Sequence, residues 1–214
     1  MVGYGGASMR ILITAGPTHE PIDPVRYIGN RSSGRMGAAL AAAAVKAGHQ
    51  TTVIVGPISV GLPAGIRRVD VRTASEMHAA VMAEFGRHDL LILAAAVADF
   101  RPKAMHTEKL ARHGTLTIEC EATEDIAAAV GRSKRAEQRC VGFALESDNN
   151  IDRAKEKLIA KNLDLIVLNP LSTLDSPTIS PTLVYPDGRT EPLASASKAD
   201  FADILIQRAV ALWR

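Results

Sequence analysis

Short apolar runs ending in glycine or proline alternate along this chain with longer segments whose apolar positions recur at helical spacing. R-I-L-I-T-A at residues 10–15 runs into Gly16-Pro17 and reads as a strand buried on both faces. Residues 35–47 predict a helix with a small-residue face (Met36, Ala39, Leu40, Ala43, Ala44, Ala47) that can lie close to a sheet, and Gly48 stops it. A β-branched strand follows at 51–55, then a weak one at 69–71. Thr73 and Glu76 have capping-box spacing and open a helix to about Phe85. Strands are expected at 90–96, 115–120, 140–144 and 164–168, and helices at 124–132 and along the stripe Ile151, Ala154, Leu158. On that last helix Arg153, Lys155, Glu156, Lys157 and Lys161 fall on the solvent side. Pro186-Asp187-Gly188 turns between two edge strands, and Phe201, Ile204, Leu205, Ala209 and Leu212 form the apolar face of a closing helix.

Alternation of strands and helices from end to end predicts an α/β fold with a mostly parallel sheet. No repeat or linker divides it, so one domain over residues 9–214 behind a flexible leader, 1–8, is expected. Composition then narrows the function classes. Hydrophobic residues at 47% and charged ones at 22% exclude a disordered chain. Lys plus Arg at 25 against Asp plus Glu at 23, with aromatics at 4%, gives neither the basic field nor the stacking surface of a nucleic-acid module. No apolar run approaches the roughly 18 residues of a membrane span, and the leader lacks a signal-peptide pattern. A cytoplasmic protein bound to neither nucleic acid nor membrane is expected.

In such sheets ligands bind beyond the carboxyl ends of the strands. Four strand ends here carry unusual residues: Gly16 onward, Asp99 onward, Phe143 onward and Asn169-Pro170. The first opens a connection over residues 16–34, where α/β units usually take about 2–6 residues. It ends in Ser32-Ser33-Gly34-Arg35-Met36-Gly37 at a helix start, where free N–H groups, hydroxyls and glycines suit a phosphate. A serine there also suits a plain helix cap, and the two roles can coexist. The G-x-G-x-x-G turn and the P-loop pattern are both absent, which disfavours a dehydrogenase. At the second strand end, A-A-A-V-A-D-F-R-P lets a ligand lie against backbone, with Asp99 as a hydrogen-bond acceptor, a Mg²⁺ ligand or a solvated loop acid. Lys109 is a surface lysine or a charge neutraliser. The six histidines lack metal-ligand spacing and read as surface or capping residues. Cys120 and Cys140 read as structural thiols.

The blocks T-A-G-P-T-H-E-P-I-D-P-V-R-Y-I-G-N-R-S-S-G-R-M-G, A-A-A-V-A-D-F-R-P, E-K-L, V-G-F-A-L-E-S and K-N-L-D-L-I-V-L-N occur in that order. Together they resemble the phosphopantothenate–cysteine ligases of coenzyme A biosynthesis. The resemblance implies a Rossmann-like three-layer fold, a homodimer and a ligation of 4′-phosphopantothenate to L-cysteine through an acyl-nucleotide, with CTP and Mg²⁺. By the same resemblance Asn30 assists breakdown of the acyl-nucleotide and touches the substrate. Gly16, Ser32, Gly34 and Gly37 receive the triphosphate. Ala95, Ala96 and Asp99 bind substrate and nucleotide, with Phe100 beside them and Asp99 at the metal. Lys109 supports transfer at phosphorus, Phe143 and Asn169 contact the nucleotide, and Arg26 reaches the substrate phosphate of the neighbouring subunit. The run Lys109-Leu110-Ala111-Arg112 departs from the family's frequent K-x-K-K. Family members often carry a flavin-dependent decarboxylase domain ahead of this one, so the chain is expected to stand alone or to be the ligase part of a longer protein. A protein that keeps the fold and binds nucleotide without turnover is the competing class.

Overall fold

The computed structural model describes residues 8–146, 150–171 and 176–213, so most of the expected leader lies outside the described residues. In chain order the elements begin with β1 (Arg10–Ala15), β2 (His19–Pro21), β3 (Tyr27–Gly29), α1 (Arg35–Lys46), β4 (Gln50–Val55), β5 (Arg67–Asp70), α2 (Ala74–Phe85) and β6 (Leu90–Leu93). Then come β7 (Phe100–Pro102), β8 (Cys120–Ala122), α3 (Ile126–Ser133), β9 (Arg139–Glu146), α4 (Ile151–Ala160) and β10 (Leu165–Pro170). β11 (Thr178–Ile179), β12 (Thr182–Val184), β13 (Thr190–Pro192), β14 (Ala196–Ser197) and α5 (Lys198–Val210) complete them.

Alternation along the strands builds the layers. In β1, Ile11, Ile13 and Ala15 join one core and Leu12 joins the other; in β6, Leu90 and Ile92 face the first and Leu91 the second. The first core is closed by α1 and α5, the second by α2, α3 and α4. The result is a three-layer Rossmann-like fold around an eight-stranded sheet of order β13-β12-β10-β9-β6-β1-β4-β5. The strands from β5 to β10 pair in parallel, and β12 and β13 extend the sheet antiparallel. The chain leaves β1 for β4 on one side and returns to β6 on the other, so strand order reverses between β1 and β6. That reversal opens a crevice at the carboxyl edge.

Local chemistry sets the boundaries. Thr73 and Glu76 close the expected capping box on α2, and Asp125, Asn150 and Ser197 cap α3, α4 and α5. Gly37 lets α1 lie on β1, since a Cβ there would sit 2.3 Å from that of Ala15.

Three expectations are corrected. Residues 16–34 are not a structureless loop: β2 and β3 pair antiparallel within them. Residues 115–119 form no strand; pairing starts at Cys120, opposite Pro102. His88, expected at the surface or as a cap, is buried and does cap, with Nδ1 2.8 Å from the Glu84 carbonyl in the last turn of α2 and Nε2 3.0 Å from the Thr52 hydroxyl. Of the two cysteines, Cys140 fits a structural thiol, burial pushing it up to about 12, while Cys120 is exposed. Among the described residues no helix is long and apolar enough to cross a membrane.

Candidate active site

Beyond the carboxyl ends of β1 and β6 the chain continues as two facing, nearly extended segments. The Thr14 hydroxyl accepts the Ala95 N–H at 3.2 Å, and the Gly16 carbonyl accepts the Ala96 N–H at 2.8 Å. The Thr18 hydroxyl accepts the Ala98 N–H at 2.9 Å, and Pro17 bridges to Ala96. These ties occupy the Ala95, Ala96 and Ala98 N–H groups and fix the A-A-A-V-A-D block, whose side chains are small. From the other side the Thr123 hydroxyl donates to the Ala98 carbonyl at 2.6 Å, drawing in the start of α3.

Between these walls lies a cleft of about 770 Å³, the size of a nucleotide or drug-like site. Asn30, Ser32, Ala95, Ala96, Asp99 and Phe143 line it, which brings together the core of the sequence-predicted set. The Asn30 amide donates to the Val97 carbonyl at 2.8 Å. An amide carries two N–H groups, so one remains for a ligand. Phe143 on β9 lines the cleft and is half-buried, packed against the core that α1 and α5 close.

Other predicted residues stand elsewhere. Gly16, Gly34 and Gly37 do not line the cleft. Gly16 and Gly34 have positive φ of 77°, and a Cβ on either would press on Ile58 at 2.5 and 2.4 Å, so packing already demands glycine there. Neither Ser32 nor Ser33 caps α1. The cap is Gly34 itself, with no side-chain bond, and the Ser32 hydroxyl accepts the Gly34 N–H at 3.3 Å. The first-turn N–H groups of α1, which a helix cannot satisfy internally, therefore have no capping side chain. Phe100 is 57% exposed on β7 and outside the cleft. Lys109 is exposed on the loop between β7 and β8, also outside it. Arg26 is held by Asp23 at 2.7 Å and does not reach the cleft of its own chain. Asn169 ends the buried run of β10, and its amide oxygen has no partner among the described residues. A buried acceptor without a donor is costly, so this oxygen is suited to a ligand N–H.

Sequence reasoning missed one wall. Lys157 in the last turn of α4 and Lys161 at its C-cap, four residues apart, line the cleft together with Arg31 and the segment from Thr123 to Ala127. Their i,i+4 spacing was legible, but it says only that they share a face, not that the face borders a cleft. Lys161 lies 2.9 Å from Asp125, whose side chain accepts the Ala128 N–H. Burial would raise the Asp125 carboxyl, but the backbone N–H groups and Lys161 outweigh it and hold it below its usual range. Arg31, Lys157 and Lys161 thus face Asp99, Glu124 and Asp125 around one space. Among the described residues no cluster of three metal-ligating side chains exists. Asp99 alone suits Mg²⁺ only as an ion carried in on phosphates, which needs one or two protein carboxylates.

A cysteine/cysteine sulfinic acid decarboxylase from an unknown prokaryotic organism is 51% identical over 76% of this chain and 46% of its own length. The coenzyme A biosynthesis bifunctional protein CoaBC of Escherichia coli (strain K12) is 47% identical over 77% of this chain and 41% of its own length. The chain therefore spans about half or less of these relatives. The crystal structure of the C-terminal domain of a CoaBC protein superposes with a TM-score of 0.82 at 38% identity, covering 95% of both chains. Residues 7–212 match one family across nearly the whole sequence, and the chain belongs to it: the DNA/pantothenate metabolism flavoprotein C-terminal domain family.

Proposed function

We propose that this chain is a cytoplasmic phosphopantothenate–cysteine ligase of coenzyme A biosynthesis that activates its acid with CTP. The observation that carries the reading is one cleft lined by the Asn30 amide, Ala95 to Val97, Asp99, Lys157 and Lys161. Similarity to CoaBC proteins, one of them a domain matched over 95% of both chains, supports it.

The reaction we assign has two displacements. The carboxylate of 4′-phosphopantothenate attacks the α-phosphorus of CTP and pyrophosphate leaves. The amine of L-cysteine then attacks the acyl carbon and CMP leaves, giving 4′-phosphopantothenoylcysteine. Mg²⁺ would supply charge neutralisation on the triphosphate, with Asp99 as its carboxylate. We assign the triphosphate to the capless start of α1 with Gly34 and Gly37, and Gly16 before it, reached from the cleft through Ser32, with Lys157 and Lys161 adding charge from the cleft. Phe143 and the orphaned Asn169 oxygen are assigned to the nucleotide, with Phe100 at the outer edge. Ala95, Ala96 and Asn30 hold the acid, and Lys109 approaches the transfer at phosphorus from its loop.

The active unit we assign is a homodimer. Val25, Tyr27, Phe100, Met105 and Leu116 are exposed apolar side chains on the β2–β3 and β7–β8 hairpins, which pack together. Such a surface suits a second copy. Arg26 lies on the same hairpin and outside its own cleft, the placement a residue serving the partner's phosphate would have.

Pyrophosphate release is the test. It is expected to require both a nucleoside triphosphate and phosphopantothenate, with kcat/KM for CTP far above that for ATP. Equal values for the two nucleotides would contradict the CTP assignment. Release independent of phosphopantothenate would contradict the ligase.

A further inference from the structure

The loop from Lys103 to Glu119 is solvent-exposed up to Thr117 except at Leu110, which is half-buried. Leu110 is gripped at both ends of its own residue. Its N–H donates to the Asp23 carboxylate at 3.2 Å, and its carbonyl accepts two bonds from the Arg26 guanidinium at 3.3 Å. Nearby, the His106 N–H donates to the Ile22 carbonyl at 2.9 Å. The Asp23 side chain is fully buried. One of its oxygens accepts the Val25 and Arg26 N–H groups at 2.8 Å each, and the other takes Arg26 and Leu110. A single buried carboxylate thus joins the turn between β2 and β3 to the residue after Lys109.

We propose that Asp23 is a positioning residue for phosphorus transfer, acting by clamping Leu110 and so fixing where Lys109 stands. The role of Lys109 rests on the ligase reading above; the clamp does not. The carboxylate must be charged, because one oxygen faces a guanidinium and an amide N–H together. An asparagine of the same size would turn donors toward donors on one side. Burial would raise the Asp23 carboxyl, but three backbone N–H groups and Arg26 outweigh it and keep it below its usual range.

Amide hydrogen exchange on the unmodified protein tests the clamp without any variant. Leu110 and His106 are expected to be protected, while Arg112 and His113 exchange freely. A Leu110 amide as fast as that of Arg112 would overturn the clamp. In Asp23→Asn, Leu110 exchange is expected to rise about 10- to 100-fold, the loss of a bond to a charged acceptor.

The positioning role is read from kinetics. Asp23→Asn should lower kcat for pyrophosphate release by roughly 10- to 100-fold with a smaller change in KM for CTP. Lys109→Ala added to Asp23→Asn should then cost far less than Lys109→Ala alone. Additive losses would show that Asp23 does not act through Lys109. A protected Leu110 in a chain without turnover would overturn the ligase reading and the role with it. An unprotected Leu110 in an active ligase would overturn the clamp alone.

Discussion

Asn30→Asp is expected to release pyrophosphate yet pass little acyl group to cysteine, so that an acyl-cytidylate accumulates in quenched reactions. In the structure one N–H of the Asn30 amide is spent on the Val97 carbonyl, which fixes the side chain beside Ala95 and Ala96. The second N–H is the donor we assign to the oxyanion that develops when the amine attacks. Aspartate has no N–H to give and would set a negative oxygen against the Val97 carbonyl. Loss of one well-placed donor typically costs about 10²–10³ in rate. The first displacement makes no comparable demand on that donor, so the intermediate outlives its usual partition. Mass spectrometry of the acyl-cytidylate checks this, and an Asn30→Asp enzyme with normal overall turnover would remove Asn30 from the mechanism.

Mixing two inactive variants is expected to restore activity. Arg26→Ala and Asn30→Ala each cripple every site when present in both chains of a twofold dimer. In a mixed dimer one site combines Asn30 of the first chain with Arg26 of the second, and the other site carries both lesions. Random pairing makes about half the dimers mixed, with one of two sites whole, so activity should approach roughly a quarter of the unmodified level. Arg26→Ala also removes the two bonds to the Leu110 carbonyl, while Asp23 keeps the Leu110 N–H, so a quarter is the ceiling. Tagged chains identify the mixed dimers. No recovery in confirmed mixed dimers would place Arg26 and Asn30 in one chain's pocket.

Elements with a strong period were legible from the chain alone. The buried run of β1, the small-residue face of α1, the capping box of α2 and the apolar stripe of α5 each announce themselves within a dozen residues. The β2–β3 hairpin did not, because H-E-P and Y-I-G are too short and polar to show alternation. Besides the Asp23 turn, remote bonds hold it: Glu20 accepts the Ala74 N–H at 2.8 Å, and the His19 N–H donates to the Arg72 carbonyl at 2.7 Å. T-L-T-I at 115–118 shows the opposite failure. Its alternation is real, but among the described residues no strand pairs with it.

The candidate site divides along the same line. Asn30, Ala95, Ala96 and Asp99 sit in blocks attached to strand ends, and the strand ends meet because the sheet is parallel. Lys157 and Lys161 come from the last turn and C-cap of a helix whose polar face looked solvent-bound, and only the fold shows that this end of α4 borders the cleft. His88 caps the last turn of α2 through the Glu84 carbonyl four residues back, which local sequence could show, but its burial rests on Thr52, thirty-six residues away.

The central claim is that a carboxylate is activated at the α-phosphorus of a nucleotide in this cleft and then passed to an amine. Phosphopantothenate labelled with ¹⁸O in its carboxylate tests that directly. One labelled oxygen should end in CMP, because the oxygen that attacks phosphorus stays with it when the amine displaces the nucleotide. The product amide keeps the other. Label in inorganic phosphate or pyrophosphate, or CMP formed without label, would contradict the account.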